Sequence, residues 1–257
     1  MHPILSRLVL LLAVATSVAH GQQYPQPLGE SLRLQFPYSA IGVLDFKSGS
    51  GFYVGSGTVI AEKTVLTAGH NLFDRRAGWS TNILFLRGYH EGSAVDEAPT
   101  ATRILILGGY RPSVQYYGGN SAAAFASDLG LVRFAISEVP GEFRGWTEFA
   151  GWTADRTLLE SNNYKIALGY GAEGAHKGEE LLYVETSSPF YRVFGAFMES
   201  ESLYFEGGMS GGPLFSETAG GELTITGVIV SGSEDPVSGG IRALNPAAAR
   251  LINRYSR

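Results

Sequence analysis

A serine inside a run of glycines near the carboxyl end of the chain is the first candidate for chemistry. Residues 207–213 read Gly-Gly-Met-Ser-Gly-Gly-Pro, with Ser210 at the centre. Flanking glycines allow the backbone to turn sharply and bring its N–H groups close to a bound substrate. A serine hydroxyl becomes a nucleophile when a neighbouring base removes its proton. The segment therefore predicts nucleophilic catalysis; the alternative is a glycine-rich β-turn in which the serine is incidental.

The order of residues along the chain limits the kind of hydrolase. The same segment matches Gly-x-Ser-x-Gly, the nucleophile elbow of α/β-hydrolases, in which the base histidine follows the serine. All five histidines of this chain precede Ser210, and they are His2, His20, His70, His90 and His176. The α/β-hydrolase interpretation is therefore excluded.

His70 is the best candidate for the base. It ends the segment Thr-Val-Leu-Thr-Ala-Gly-His, in which a predicted strand leads into a turn and small residues leave room beside the ring. The other four histidines lie in or beside a predicted export signal or in polar loops, where we expect solvated side chains.

Asp128 is the candidate carboxylate that would orient the imidazole. It opens the apolar strand pattern Asp-Leu-Gly-Leu-Val-Arg-Phe, and a carboxylate buried there would need hydrogen bonds. The Nδ1–H group of His70 would supply one; the alternative is an aspartate that caps a turn. The competing aspartates do not open so apolar a strand downstream of His70, and they are Asp45, Asp74, Asp96, Asp155 and Asp235.

These three residues and their motifs resemble trypsin-like serine peptidases. His70, Asp128 and Ser210 follow the His…Asp…Ser order of that family. The motifs Thr-Ala-Gly-His70, Asp128-Leu-Gly-Leu and Gly-Met-Ser210-Gly-Gly-Pro are similar to those of the family. Residues 36–41, Phe-Pro-Tyr-Ser-Ala-Ile, look most like the bacterial glutamyl-endopeptidase branch. The resemblance extends from about residue 37 to the end of the chain.

The resemblance implies an all-β fold of two six-stranded antiparallel β-barrels, with the site between them and a short C-terminal helix. It implies a serine endopeptidase that forms an acyl-enzyme on Ser210, with His70 as general base and acid and Asp128 fixing the histidine tautomer. The backbone N–H groups of Gly208 and Ser210 would form the oxyanion hole. Such an enzyme acts on polypeptides and requires no cofactor and no metal.

Residue 209 and the expected substrate pocket depart from the family pattern. Met209 stands where trypsin-type enzymes have an aspartate that pairs with a freed N-terminal amine. An ammonium buried beside a thioether would be uncompensated, so we expect Met209 to order residues 206–210 by apolar packing instead. The expected pocket supports neither a Lys/Arg nor a Glu preference and favours a narrow or apolar site; its residues are Tyr204, Phe205, Glu206, Val230, Ser231, Gly232 and Ser233.

Two other functions are compatible with parts of the sequence. A catalytically silent, peptidase-like binding protein would have the same fold, but it would have no reason to keep the three residues and both glycines together. A metal-dependent hydrolase would use an acidic loop without the helical His-Glu-x-x-His spacing; its residues would be His90, Glu91, Asp96 and Glu97.

Short apolar segments separated by glycine, asparagine, aspartate and serine must position these residues. Glycine accounts for 34 of the 257 residues, nearly twice its usual share, as is typical of turn-rich β proteins. The predicted strands are 40–46, 51–61, 64–67, 82–87, 101–107, 129–135, 164–169, 180–186, 212–216, 223–231 and 240–244. One helix is predicted, at the end, with Asn245 as N-cap and Pro246 as first residue.

The predicted strands form two sets that are separated by residues 140–154, which lack strand alternation. We expect a first barrel at 37–145 with His70 and Asp128, a second at 146–245 with Ser210, and the helix at 246–257. Residues 22–36 are either a propeptide or an arm on the first domain.

The amino terminus and the composition predict where the protein acts. Residues 1–21 are expected to be a cleaved export signal, since Arg7 precedes an apolar run and small residues follow it. That run is shorter than the roughly 20 residues that span a bilayer, so we expect a secreted or periplasmic monomer that is free of the membrane. The chain has no cysteine, which excludes disulfides and thiol nucleophiles. A net charge of −5 argues against nucleic-acid binding.

Overall fold

The strands of the protein far outnumber its helices. The computed structural model describes residues 23–98, 101–139, 142–172, 179–234 and 237–256; the predicted export signal and His176 lie outside these ranges. The strands are β1 (Gln26–Pro27), β2 (Ile41–Ser48), β3 (Gly51–Ala61), β4 (Thr64–Thr67), β5 (Phe73–Asp74), β6 (Gly78–Trp79), β7 (Thr81–Arg87), β8 (Asp96–Ala98), β9 (Ala101–Ile106), β10 (Gly130–Phe134), β11 (Lys165–Tyr170), β12 (Leu181–Thr186), β13 (Tyr191–Phe194), β14 (Phe197–Ser200), β15 (Pro213–Glu217), β16 (Leu223–Glu234) and β17 (Val237–Ala243). The helices are α1 (Glu30–Arg33), α2 (Tyr110–Tyr117), α3 (Ala122–Phe125), α4 (Thr157–Glu160) and α5 (Pro246–Tyr255).

Two curled antiparallel sheets contain nearly all of the strands. The first sheet has the order β8-β7-β2-β3-β4-β10-β9, and the second has the order β1-β12-β11-β15-β16-β17-β14-β13. Strands β5 and β6 pair separately. The predicted all-β fold with a C-terminal helix is confirmed. The first sheet contains the six strands predicted for it and β8; the second contains the five strands predicted for it together with β1, β13 and β14.

All eleven predicted strands are present, with ends displaced by at most three residues. Strand β14 was missed because its four residues, Phe-Met-Glu-Ser, include no β-branched residue, in contrast to the equally short β4. It exists because it pairs with β17 over its whole length, a contact that the local sequence does not encode.

Short helices besides the predicted C-terminal one are also present. Helices α2 and α3 lie between β9 and β10, in a stretch with no long apolar period. Pro112 falls in the first turn of α2, where proline costs no helical hydrogen bond. Ser121 caps α3 by accepting a hydrogen bond from the N–H of Ala124.

The predicted C-terminal helix is confirmed as α5. The Asn245 side chain accepts hydrogen bonds from the N–H groups of Ala247 and Ala248 at 3.1 and 3.0 Å, and Pro246 is the first helical residue. Ala248 and Ile252 are fully buried against the main apolar core. Among the described residues, no helix combines the length and the apolar character needed to cross a membrane.

The residues at 23–36 form an arm that lies mainly on the second sheet. Strand β1 pairs with β12, Gln23 donates to the carbonyl of Ser202 at 2.7 Å, and Tyr204 donates to that of Gln23 at 3.0 Å. Arg33, which is buried, donates to the carbonyl of Gly88 beside the first sheet. The arm therefore makes its main contacts with the second sheet and not, as expected, with the first domain.

Candidate active site

His70 and Asp128 meet at one edge of the first sheet. Strand β4 ends at Thr67 and β10 begins at Gly130, and these two residues are paired. The turn after β4 and the residues before β10 therefore lie side by side. The backbone N–H of His70 donates to Asp128 Oδ1 at 2.8 Å, and its Nδ1 lies 2.7 Å from Oδ2. Both carboxylate oxygens thus bind the same residue.

The surroundings of this pair favour a charged imidazole. The side chain of Asp128 is 1% exposed and that of His70 is 34% exposed. Burial lowers the pKa of His70, but the negative charge of Asp128 and its hydrogen bond outweigh this, so the pKa is raised above its ordinary value. A carboxylate placed at Nδ1 also leaves the proton-free Nε2 as the basic atom of the neutral ring.

The turn that carries His70 also holds the backbone of Ser210. Asn71, which is buried, donates from Nδ2 to the carbonyl oxygen of Ser210 at 3.0 Å. The same amide group donates to Thr67 Oγ1 at 3.0 Å. A Cβ atom on Gly55 would lie 2.5 Å from Asn71 Nδ2, so the glycine provides the space for this side chain. The structure therefore brings the segments of His70, Asp128 and Ser210 together.

The carbonyl groups of residues 207–210 all accept hydrogen bonds. Their donors, in chain order, are the N–H of Ala172 at 2.6 Å, the hydroxyl of Ser56 at 2.9 Å, the N–H of Gly212 at 2.9 Å and, for Ser210, the N–H of Ser56 at 2.8 Å besides Asn71. Gly208 has a φ of +94°, a conformation that favours glycine. Within the described ranges, the N–H groups of Gly208 and Ser210 are left without an acceptor. This loop therefore offers two free donors beside the serine.

Met209 is fully buried in an apolar cluster of the second sheet. A Cβ atom on Gly169 would lie 2.7 Å from the Cα of Met209, so the absent side chain at Gly169 makes room for the methionine. The predicted apolar packing of Met209 is confirmed.

A cavity of about 530 Å³ opens next to His70. One side of the cavity comes from the helical segment before Asp128, and the other comes from β14, β16 and β17. Its residues are His70, Phe73, Asp74, Arg75, Tyr110, Val114, Gly119, Asn120, Phe125, Glu199, Val230, Ser231, Gly232, Ser233 and Ser238. Sequence reasoning missed the contribution of α2 and α3 because it predicted no helix there.

Only some residues of the predicted substrate pocket line this cavity. Val230, Ser231, Gly232 and Ser233 line this cavity, whereas Tyr204, Phe205 and Glu206 do not. Phe205 is buried, and its carbonyl oxygen lies only 2.0 Å from the position of a Cβ on Gly232. The two expected walls are therefore in contact, because a glycine at 232 lets them approach.

Asp96, one of the residues of the alternative metal site, contacts other side chains. Asp96 forms an ion pair with Arg87 at 2.6 Å and accepts from the indole N–H of Trp146 at 3.0 Å. In the part of the chain that the structure describes, no three His, Asp or Glu side chains are grouped closely enough to hold a metal ion.

Comparisons with known proteins identify the fold. No protein-family model and no curated protein matches the chain. Among solved structures, the thermostable serine protease AL20 from an extremophilic microorganism is 19% identical, with a TM-score of 0.67, over 85% of this chain and 97% of that one. Protease Anisep from Arthrobacter nicotinovorans is 20% identical, with a TM-score of 0.64, over 86% and 96%. A Glu endopeptidase is 17% identical, with a TM-score of 0.66, over 90% and 96%. The chain therefore has the fold of trypsin-like serine proteases.

Proposed function

We propose that this protein is a serine endopeptidase that hydrolyses peptide bonds through an acyl-enzyme on Ser210. The observation that carries the proposal is the double hydrogen bond between Asp128 and His70, on a turn that also holds the Ser210 backbone through Asn71. The fold shared with serine proteases supports the same reaction class. We expect export from the cytoplasm and action as a monomer on polypeptides.

The reaction begins when Ser210 Oγ attacks the carbonyl carbon of the scissile peptide bond and His70 Nε2 removes the hydroxyl proton. Asp128 stabilises the imidazolium that forms. Collapse of the tetrahedral intermediate breaks the C–N bond, and His70 transfers its proton to the departing amine. Water then attacks the acyl-enzyme by the same route, with His70 again as base, and releases the acid product and the free serine.

The two free N–H donors provide the electrostatic part of the mechanism. Negative charge develops on the carbonyl oxygen in the transition state, and the N–H groups of Gly208 and Ser210 are the donors proposed to bind it. Removing one such donor typically costs about 10²- to 10³-fold in turnover. The carbonyl groups of residues 207–210 are all held by other hydrogen bonds. The loop therefore needs little reorganisation when negative charge develops on the substrate oxygen.

The cavity beside His70 is the proposed site for substrate side chains. It combines aromatic residues with charged ones, including Glu199, Asp74 and Arg75, and is therefore neither purely apolar nor of one charge. The contact between Phe205 and Gly232 leaves Tyr204, Phe205 and Glu206 outside it. We propose that the wall from Val230 to Ser233 is the part of the predicted pocket that contacts substrate.

Active-site labelling distinguishes a peptidase from a silent binding protein of the same fold. A fluorophosphonate probe should label the wild type at Ser210, as peptide mapping by mass spectrometry would show, and Ser210→Ala should abolish labelling and peptide hydrolysis together. The matched control is Ser93→Ala, at an exposed serine in a loop, which should be labelled like the wild type. A folded wild type that neither reacts nor hydrolyses peptides would establish the silent alternative.

A further inference from the structure

The hydroxyl of Ser56 links the two sheets at the catalytic loop. Ser56 lies on β3 of the first sheet and is 0% exposed. Its Oγ accepts a hydrogen bond from the N–H of Tyr170, on β11 of the second sheet, at 2.8 Å. The same hydroxyl donates to the carbonyl oxygen of Gly208 at 2.9 Å. One buried group therefore connects three segments that are far apart in the sequence.

A neighbouring residue shows that this bonding is specific to position 56. Thr58 lies two residues along β3, so its side chain points to the same face of the strand. It is also buried, at 1% exposed, yet its hydroxyl has no hydrogen-bond partner among the described residues. Burial on this strand does not by itself create such a bridge.

The hydrogen bond from the Ser56 hydroxyl restricts the backbone of Gly208, and glycine rotates more freely than any other residue. Peptide groups are planar, so holding the Gly208 carbonyl fixes the plane between residues 208 and 209. Ala172 holds the Gly207 carbonyl and so fixes the preceding plane, which includes the Gly208 N–H. A glycine rotates easily between two such planes. The Ala172 bond directs the Gly208 N–H itself, and the Ser56 bond limits the rotation about Gly208 by which the two planes could turn relative to each other.

We propose that Ser56 is a positioning residue for the oxyanion hole, which it orders from the opposite sheet through Gly208. The inference rests on the proposed peptidase function. It adds the Ser56 hydroxyl, at Gly208, to the hydrogen bonds by which Asn71 and the Ser56 N–H hold the Ser210 carbonyl from the side of the first sheet. Because hydrogen-bond donors must lie within about 0.5 Å of the productive geometry, losing the bridge should weaken transition-state binding more than substrate binding.

The test is Ser56→Ala, with Thr58→Val as matched control. Removing the Ser56 hydroxyl should lower kcat by about 10- to 100-fold while KM changes by less than about 2-fold. The affinity for a peptidyl boronic acid, whose tetrahedral adduct occupies the oxyanion hole, should fall by a similar factor. The pH midpoint of kcat/KM should stay unchanged, because His70 and Asp128 are untouched. Thr58→Val should match the wild type in all four measurements.

Ser56→Cys keeps the test decisive if the alanine variant does not fold, because a thiol is similar in shape and a weaker hydrogen-bond donor. Where both variants fold, a kcat of Ser56→Cys between those of the wild type and Ser56→Ala supports the proposal. Where only Ser56→Cys folds, a kcat at least about 5-fold below that of the wild type supports it. A folded variant with wild-type kcat and boronate affinity, or with only a raised KM, overturns it. An inactive and unlabelled wild type would instead disprove the peptidase function itself.

Discussion

The charge of Asp128 is expected to affect the pH at which His70, the proposed base, loses its proton. Because the pKa of His70 is raised above its ordinary value of 6.5, the imidazole should stay protonated to a higher pH than a free histidine. Only the neutral ring can accept the serine proton. We therefore expect kcat/KM to rise with pH, with a midpoint above 6.5.

Asp128→Asn provides the comparison, since an amide removes the negative charge and keeps the shape. The remaining activity, lower by up to about 10⁴-fold, should show its midpoint at a lower pH than the wild type. Asp155→Asn, at a largely exposed loop position that bonds Thr157, should leave the profile unchanged. An unchanged midpoint in Asp128→Asn would show that another group controls the ionisation.

The sequence was enough to name the proposed catalytic residues, but not the residue proposed to position the oxyanion hole. Ser210 and His70 were recognisable because their chemistry demands particular residue types beside small neighbours. Ser56 also lies between two glycines, but its partners Gly208 and Tyr170 are 152 and 114 residues away. The role of a buried hydroxyl depends on which carbonyl the fold places opposite it, and a single sequence does not contain that information.

At the scale of elements, β11 carries a lysine in the interior. Lys165 is 0% exposed, and its ammonium donates to the carbonyl oxygens of Ser161, Asn163 and Ser188 at 2.6, 3.1 and 3.3 Å. These bonds compensate the charge in part, yet burial lowers the pKa of Lys165 to about 8. Between about pH 8 and 10.5 the folded chain therefore binds fewer protons here than the unfolded chain.

This difference predicts how stability changes with pH. The contribution of Lys165 to the free energy of unfolding should rise by up to about 3 kcal/mol as the pH increases from 8 to 10.5. Urea unfolding at several pH values should show this rise in the wild type relative to Lys165→Met. Lys63→Met, at a partly exposed lysine, should follow the wild type. Parallel curves for wild type and Lys165→Met would refute the expected shift.

Elements with a clear local pattern were predictable, and elements formed by pairing were not. The predicted limits of 51–61 and 64–67 coincide with β3 and β4, where β-branched residues lie next to turn signals. Strand β14 and helix α2 contain four and eight residues, and their local preferences are weak. Pairing with β17 selects the conformation of β14, and the position of α2 at the wall of the cavity selects that of the helix.

At the scale of the whole molecule, the arm is joined to the second sheet by backbone hydrogen bonds. A chain that begins at Gly29 would lose the backbone hydrogen bonds of Gln23 and Leu28 and the pairing of β1 with β12. With about 1 kcal/mol per hydrogen bond, the free energy of unfolding should fall by roughly 2–4 kcal/mol relative to a chain that begins at Gln22.

Thermal unfolding of the two purified proteins tests the arm directly. Tyr24→Ala in the longer chain serves as control, since it removes the ring contact with Tyr204 at 5.8 Å but keeps the backbone hydrogen bonds, and it should have a smaller effect. If the shorter chain were equally stable and reacted faster with the fluorophosphonate probe, residues 22–28 would be a propeptide that blocks the site.

The division of the site between two sheets also affects what an incompletely folded copy can do. A chain that has formed only the first sheet has the base without the nucleophile, and one that has formed only the second has the nucleophile without the base. The proposed peptidase, with polypeptides as substrates, would meet its own unfolded copies during synthesis and the expected export. Because neither half would cut alone, the proposed activity would digest unfolded copies only in a population that already contains fully folded molecules.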